Sequence, residues 1–143
     1  MPKLVVLILS LFAFNTFASE LVLEKHAVSG LIIPEMSFKN DCLITSDGNV
    51  KITKKSGDGT TLSLARHLSY GTIFQIRQLL RVADKASIHN SGVLCDAGSI
   101  TVTGYRNGKA IMIKDQQDCY SYRYRNGRSA RRIRNLATQI CTF

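Results

Sequence analysis

Four cysteines constrain this chain more than any other feature: Cys42, Cys95, Cys119 and Cys141. Their number is even, and all four follow a stretch that reads as an export signal, so they read as two disulfides. Met1-Pro2-Lys3 supplies one positive charge, Leu4–Phe14 is apolar except for Ser10, and Asn15-Thr16-Phe17-Ala18 closes the stretch. Small residues at Thr16 and Ala18 fit a signal-peptidase site with Ser19 as the new N-terminus. The apolar run is shorter than the ~20 residues that a spanning helix needs. A buried N-terminal helix is the competing reading. No Cys directly follows the cleavage point, which argues against a lipid anchor. The expectation is a signal peptide over 1–18 and a single exported α+β domain over 19–143, secreted or periplasmic.

Turn signals choose among the three pairings that four cysteines allow. Ser99–Tyr105 and Lys109–Lys114 are strand-like, and Asn107-Gly108 lies between them. Asn-Gly is a strong two-residue hairpin signal, because a type I′ turn needs positive φ at both positions. With 107 and 108 as the loop, facing residues sum to 215. Cys95 and Cys119 then come within about one residue of each other, within disulfide reach. Cys42 is left for Cys141, which ties the first long strand to the chain end. In the chain-entropy model the long loop contributes about 4 kcal/mol and the short one about 3 kcal/mol. A metal site has little support, since there is no CxxC and the three His lie far from the Cys. No metal and no cofactor are expected.

The remaining pattern is strands and two helices. Leu21–Lys25, Gly30–Ile33 and Ser37–Thr45 read as strands, and Asp47-Gly48 as a second tight turn. Asn49–Lys54 alternates, with Val50 and Ile52 on one side. Lys55–Gly59 reads as a loop, and Thr60–Leu68 as a strand with Leu62, Leu64 and Leu68 inward. Ser69 is a plausible N-cap. From Thr72 to Lys85, Ile73, Ile76, Leu79, Leu80 and Ala83 fall at helical spacing, while Arg77, Arg81 and Lys85 face water. His89–Gly92 reads as a loop, Tyr120–Arg125 as a strand and Asn126-Gly127 as a break. A second amphipathic helix follows from Arg128 to Cys141, with Ala130, Ile133, Leu136, Ala137 and Ile140 inward. The fold expected is α+β: an antiparallel sheet with two amphipathic helices packed on one face. The order hairpin, strand, helix occurs twice, in the manner of a duplication. Apolar residues at 45% and charged residues at 20% exclude disorder, collagen and coiled coil.

Charge is uneven. After removal of residues 1–18 the chain has 18 Lys+Arg and 10 Asp+Glu, a net charge of +8. Six of those eight charges sit beyond Cys119, in Arg123, Arg125, Arg128, Arg131, Arg132 and Arg134, with no acidic residue among them. Arg suits bidentate contact with phosphate or carboxylate. In a strand, Tyr120, Tyr122 and Tyr124 share one face, and Arg123 and Arg125 the other. The Tyr stripe either packs on the core or joins the Arg residues in a surface for an anionic partner. Such a surface suits an acidic protein or an envelope polymer, and nucleic acid less well in an exported chain. Equally, Arg128, Arg131, Arg132 and Arg134 would serve as a solvated helix face.

Catalytic motifs are missing: no GxSxG, HExxH, P-loop or Rossmann fingerprint occurs. His26, His67 and His89 are the available bases, but none lies in a recognisable motif. The function expected is that of a basic, disulfide-stabilised binding protein, an inhibitor or accessory factor acting on an acidic protein or envelope component. For an inhibitor, the Lys55–Gly59 loop and the Arg106–Lys109 turn are the exposed elements. The alternatives are a secreted nuclease-type enzyme on an anionic substrate, using His with Lys or Arg, and a purely structural envelope protein.

Overall fold

The structure is a computed structural model that describes residues 19–30, 36–93, 95 and 98–143. The expected signal, 1–18, and all but the first residue of the strand expected at 30–33 lie outside the described residues. Ten elements follow in chain order: β1 (Leu21–Val28), β2 (Phe38–Thr45), β3 (Asn49–Ser56), β4 (Thr61–His67), α1 (Tyr70–Ala83), β5 (Ile88–Ser91), β6 (Ser99–Arg106), β7 (Lys109–Gln117), β8 (Ser121–Arg125) and α2 (Arg128–Ile140). The eight strands form one sheet in the order β4-β3-β2-β1-β6-β7-β8-β5. Every pairing is antiparallel. The architecture is α+β.

Alternation explains the strands. Val50 and Ile52 of β3 and Cys42 and Ile44 of β2 are buried, whereas Lys51 between them is exposed. Ile111 and Ile113 do the same for β7. Each such side chain, fully buried, contributes about 1.5–3 kcal/mol. In α1 the stripe Ile73, Ile76, Leu80 and Ala83 is buried, and the Ser69 hydroxyl caps the helix by accepting the Thr72 N–H at 3.3 Å. In α2 the buried stripe is Ala130, Ile133 and Ala137. The helices contact each other, and both contact β1. α1 also packs on β6 and α2 on β7. Gly104 of β6 lies directly under Leu80, so close that a Cβ there would collide with the leucine.

The Asn107-Gly108 turn has φ of 50° and 72°, both positive, as a type I′ turn requires. Facing residues sum to 215 from Arg106↔Lys109 to Thr103↔Met112, and a bulge then shifts the register to Val102↔Lys114. Cys95 precedes β6 and is bonded to Cys119, with Cα atoms 4.3 Å apart. Cys42 is bonded to Cys141 with Cα atoms 5.6 Å apart, so the end of α2 is fastened to β2.

Three local expectations need correction. β4 is an edge strand, and its Leu62 is 50% exposed rather than inward, because the helices pack on β1, β6 and β7. Leu64 and Leu68 pack only partly on the core. His89–Ser91 is not loop but part of β5, which pairs with β8 as the opposite edge. Tyr120 precedes β8 and is 83% exposed, so only Tyr122 and Tyr124 share a strand. Both halves of the chain run four strands and then a helix, but β1 pairs with its successor β2 whereas β5 pairs with β8. The repeated order therefore holds along the chain and not in strand pairing. Among the described residues no helix is long and apolar enough to cross a membrane.

Candidate anion-binding site

The six C-terminal arginines divide into four groups. Arg123 is ion-paired with the Asp115 carboxylate across β7 and β8. Hydrogen bonds from Gln117 and Arg123 hold that carboxyl below its ordinary value. Arg125 is turned to internal carbonyls: its Nε donates to Met112 O at 2.9 Å, and its Nη1 to Asp84 O at 2.9 Å and Ala86 O at 2.8 Å. It joins β7 to the segment between α1 and β5. Arg128, Arg131 and Arg132 are exposed and have no ion pair among the described residues. Arg134 is half-buried: its Nη1 donates to Arg125 O at 2.9 Å, and its guanidinium lies 5.2 Å from the centre of the Tyr124 ring.

Arg134 opens onto a pocket between α2 and the sheet. Sheet register sets its walls. Lys25 on β1 faces Val102 on β6, Val102 faces Lys114 on β7, and Lys114 faces Tyr124 on β8. Directly opposed residues on neighbouring strands point to the same side of the sheet. The two lysines therefore flank Val102 in one row, with strands about 4.8 Å apart. Helix α2 lays Arg134, Asn135 and Thr138 over this row, and Tyr122 supplies a wall. The pocket measures about 330 Å³, and Ile100 and Val102 form its apolar floor.

Among the described residues no carboxylate lines the pocket. Lys25 and Lys114 have no acidic partner among the described residues. Burial pushes the Lys25 ammonium below its ordinary pKa. Burial does the same to Lys114, reinforced by the positive charges of Arg134 and Lys25. Lys114 gains one favourable neighbour, the Tyr122 ring, at 5.4 Å from its centroid. Desolvating cations beside one another works against folding. Among the described residues, three cations thus converge without counter-charge, at a cost to the fold. The guanidinium is also held in place, since Arg134 is bonded to the carbonyl of Arg125, and Arg125 to three others. The Cys42–Cys141 bridge fixes the far end of α2.

Lys25 and Lys114 lie outside the sequence-derived set, because each looks like an ordinary strand lysine. Lys25 is in phase with the buried Leu23, but Lys114 is out of phase with the buried Ile111 and Ile113 and comes to the side of Val102 only through the register shift between β6 and β7. The histidines do not assemble. They stand on β1, β4 and β5, and the last two are opposite edges of the sheet. His67 lies 3.3 Å from the Asn49 side chain, and His89 packs on Tyr124. His26 is 2.6 Å from Asp41 through Nδ1 and 3.4 Å from Glu24 through Nε2, so carboxylates face both ring nitrogens. The Tyr105 hydroxyl donates to Glu24 at 2.6 Å and is pushed up to about 12 by that bond and by burial. The Arg106–Lys109 turn is partly neutralised, with both end residues within 4 Å of the Asp84 carboxylate at 3.7 and 3.8 Å. No group of His, Cys, Asp and Glu suited to a metal occurs among the described residues. No protein-family model matches this chain, and no curated protein matches it either.

Proposed function

We propose that the chain is a small exported binding protein whose basic side engages an anionic partner, an acidic protein or an envelope component, in the manner of an inhibitor or accessory factor. One observation carries this reading. Lys25, Lys114 and Arg134 converge on a pocket that has no carboxylate among the described residues. The same helix presents Arg128, Arg131 and Arg132 to solvent. A signal-like N-terminus and two disulfides support an oxidising compartment outside the cytoplasm. Arg123 and Arg125 serve other elements of the fold, so the binding side is α2 and the sheet beneath it. The nuclease alternative has less to draw on, because the three His are dispersed over the sheet.

The test is a pull-down of the oxidised protein from secreted and envelope fractions at low and high salt. Capture of an acidic partner should weaken steeply with salt, since exposed charges are screened within about 8 Å at physiological ionic strength. The Arg131→Glu/Arg132→Glu variant should fold with an unchanged melting temperature and capture little. Full capture by that variant at any salt would overturn the reading.

A further inference from the structure

We propose that the pocket between α2 and the sheet is a binding site for a phosphomonoester carried on a small polar group, anchored by Lys25, Lys114 and Arg134. The inference rests on the anionic-partner reading above and deepens it, by assigning the chemical group that enters the protein. Charge selects the class. Among the described residues the pocket holds two ammonium groups and one guanidinium and no acid. A phosphomonoester carries about −1.5 to −2 at pH 7 and three strong acceptor oxygens. A single carboxylate would leave most of that positive charge unbalanced. The donors also fit a phosphate: a planar guanidinium, already oriented by the Arg125 carbonyl at 2.9 Å, and two ammonium point charges.

The rest of the pocket suits the group that bears the phosphate. A volume of about 330 Å³ exceeds what a phosphate alone fills. Asn135 and Thr138, three residues apart on α2, sit on one side of that helix and offer neutral hydrogen-bonding groups. The Tyr122 ring and the apolar floor at Ile100 and Val102 lower the local dielectric, which strengthens every charge contact made there. An acidic peptide needs none of this, because the exposed Arg128, Arg131 and Arg132 already meet carboxylates in water.

Thermal melting of the oxidised protein in inorganic phosphate against sodium chloride, at equal ionic strength, reads the site directly. Phosphate well above its Kd should raise the melting temperature by about 5 °C or more. The Lys25→Met/Lys114→Met variant should melt above wild type in chloride, because two uncompensated charges are gone, and should lose the phosphate-dependent rise. Lys51→Met/Lys85→Met, which removes two exposed lysines elsewhere, should keep the rise. The single change Lys114→Gln keeps the chain polar and should weaken phosphate binding about tenfold. Calorimetry with glycerol phosphate, and sedimentation with phosphatidylcholine vesicles containing phosphatidic acid, separate a soluble source of the ester from a lipid one. Either source supports the site. Equal melting in phosphate and chloride, a phosphate effect that survives Lys25→Met/Lys114→Met, or tighter binding of a glutamate-rich peptide than of glycerol phosphate would each overturn it. In those cases, salt-sensitive capture through Arg131 and Arg132 would still be measured separately, so the basic-side reading stands or falls by itself.

Discussion

Lys25 and His26 are neighbours in β1, and their surroundings are opposite. His26 lies between two carboxylates, Asp41 and Glu24, and Glu24 is itself bonded by Tyr105. Lys39 adds a second cation to Asp41 at 3.3 Å. One residue away, on the other side of the strand, Lys25 looks across Val102 to Lys114 and up to Arg134, with no acid in reach among the described residues. Around His26 the charges are settled among neighbouring side chains. The second side, around Lys25, leaves three cations for something else to balance. Charge that a fold neutralises by itself reads as structure, and charge that it holds unpaired at a cost to its own stability reads as function.

The largest way to break this contrast is to release the helix that roofs the second side. Cys42 faces Lys25 across β1 and β2, so the Cys42–Cys141 bridge sits at the pocket's edge. Cys42→Ser/Cys141→Ser should lose about 4 kcal/mol, as expected for a bridge that closes a loop of 99 residues. Denaturant titration checks the loss. Water should then reach the pocket, and Lys25 and Lys114 should titrate closer to their ordinary values, while the ring resonances of His26 stay where they are. Next in size is the adjacent pair Thr103 and Gly104 on β6. Gly104→Ala pushes a methyl group into Leu80 and should cost about 1–3 kcal/mol by overpacking. Thr103→Ala, on the other side of the strand, should stay within about 0.5 kcal/mol. Equal effects on melting would mean that the two sides are not differently packed.

The pocket's own effect has the opposite sign. Lys114→Met should stabilise the protein by about 1 kcal/mol, because an unpaired, partly buried cation gives way to an apolar chain of similar length. The pH dependence follows. Lys25 and Lys114 have lowered values in the folded chain and ordinary ones, 10.5, when it unfolds. Between the two, the unfolded chain binds more protons, so stability rises with pH in that alkaline window. Below the window both states are protonated, and the penalty of the charged pocket is fully present. In the Lys25→Met/Lys114→Met variant this alkaline rise should shrink. A rise unchanged in melting curves from pH 8 to 10.5 would place its source elsewhere.

Sequence patterning carried much of the fold and little of the pocket. The Asn107-Gly108 hairpin and the stripe Ile73, Ile76, Leu80 and Ala83 follow from local stereochemistry and period, which a sequence displays openly. β5 is four residues long and wholly exposed, so nothing in His89–Ser91 alternates against a core. Its strand character comes only from pairing with β8. Leu62 shows the converse: it alternates correctly but sits on an edge beyond the reach of the helices. The Arg run is conspicuous as composition, yet its members fall into four different settings, and β8 sends Arg125 inward to carbonyls that only the folded chain assembles. Lys25 and Lys114 are 89 residues apart and meet through the β1–β6–β7 register, which no local pattern announces.

The smallest effect lies around His26, where the charges are already paired. Partial burial works against ionisation of Asp41, but hydrogen bonds from His26 and Lys39 outweigh it and hold the carboxyl below its ordinary 3.8. Its contribution to stability is therefore present above that value and is lost as pH falls through the lowered one. Asp41→Asn should cost less than about 1 kcal/mol near neutral pH, since the pairs are partly exposed and screened by water. The cost should vanish at the acid end, where the wild-type carboxyl is protonated as well. Melting curves taken from pH 2 to 7 on both proteins would show the two converge on acidification. The same substitution should leave the phosphate-dependent rise in melting temperature intact, because Asp41 and the pocket lie on opposite sides of the sheet. A variant that loses the phosphate effect along with the acid transition would mean that the charges on the two sides of β1 are coupled through the strand, and the contrast between Lys25 and His26 would have to be given up.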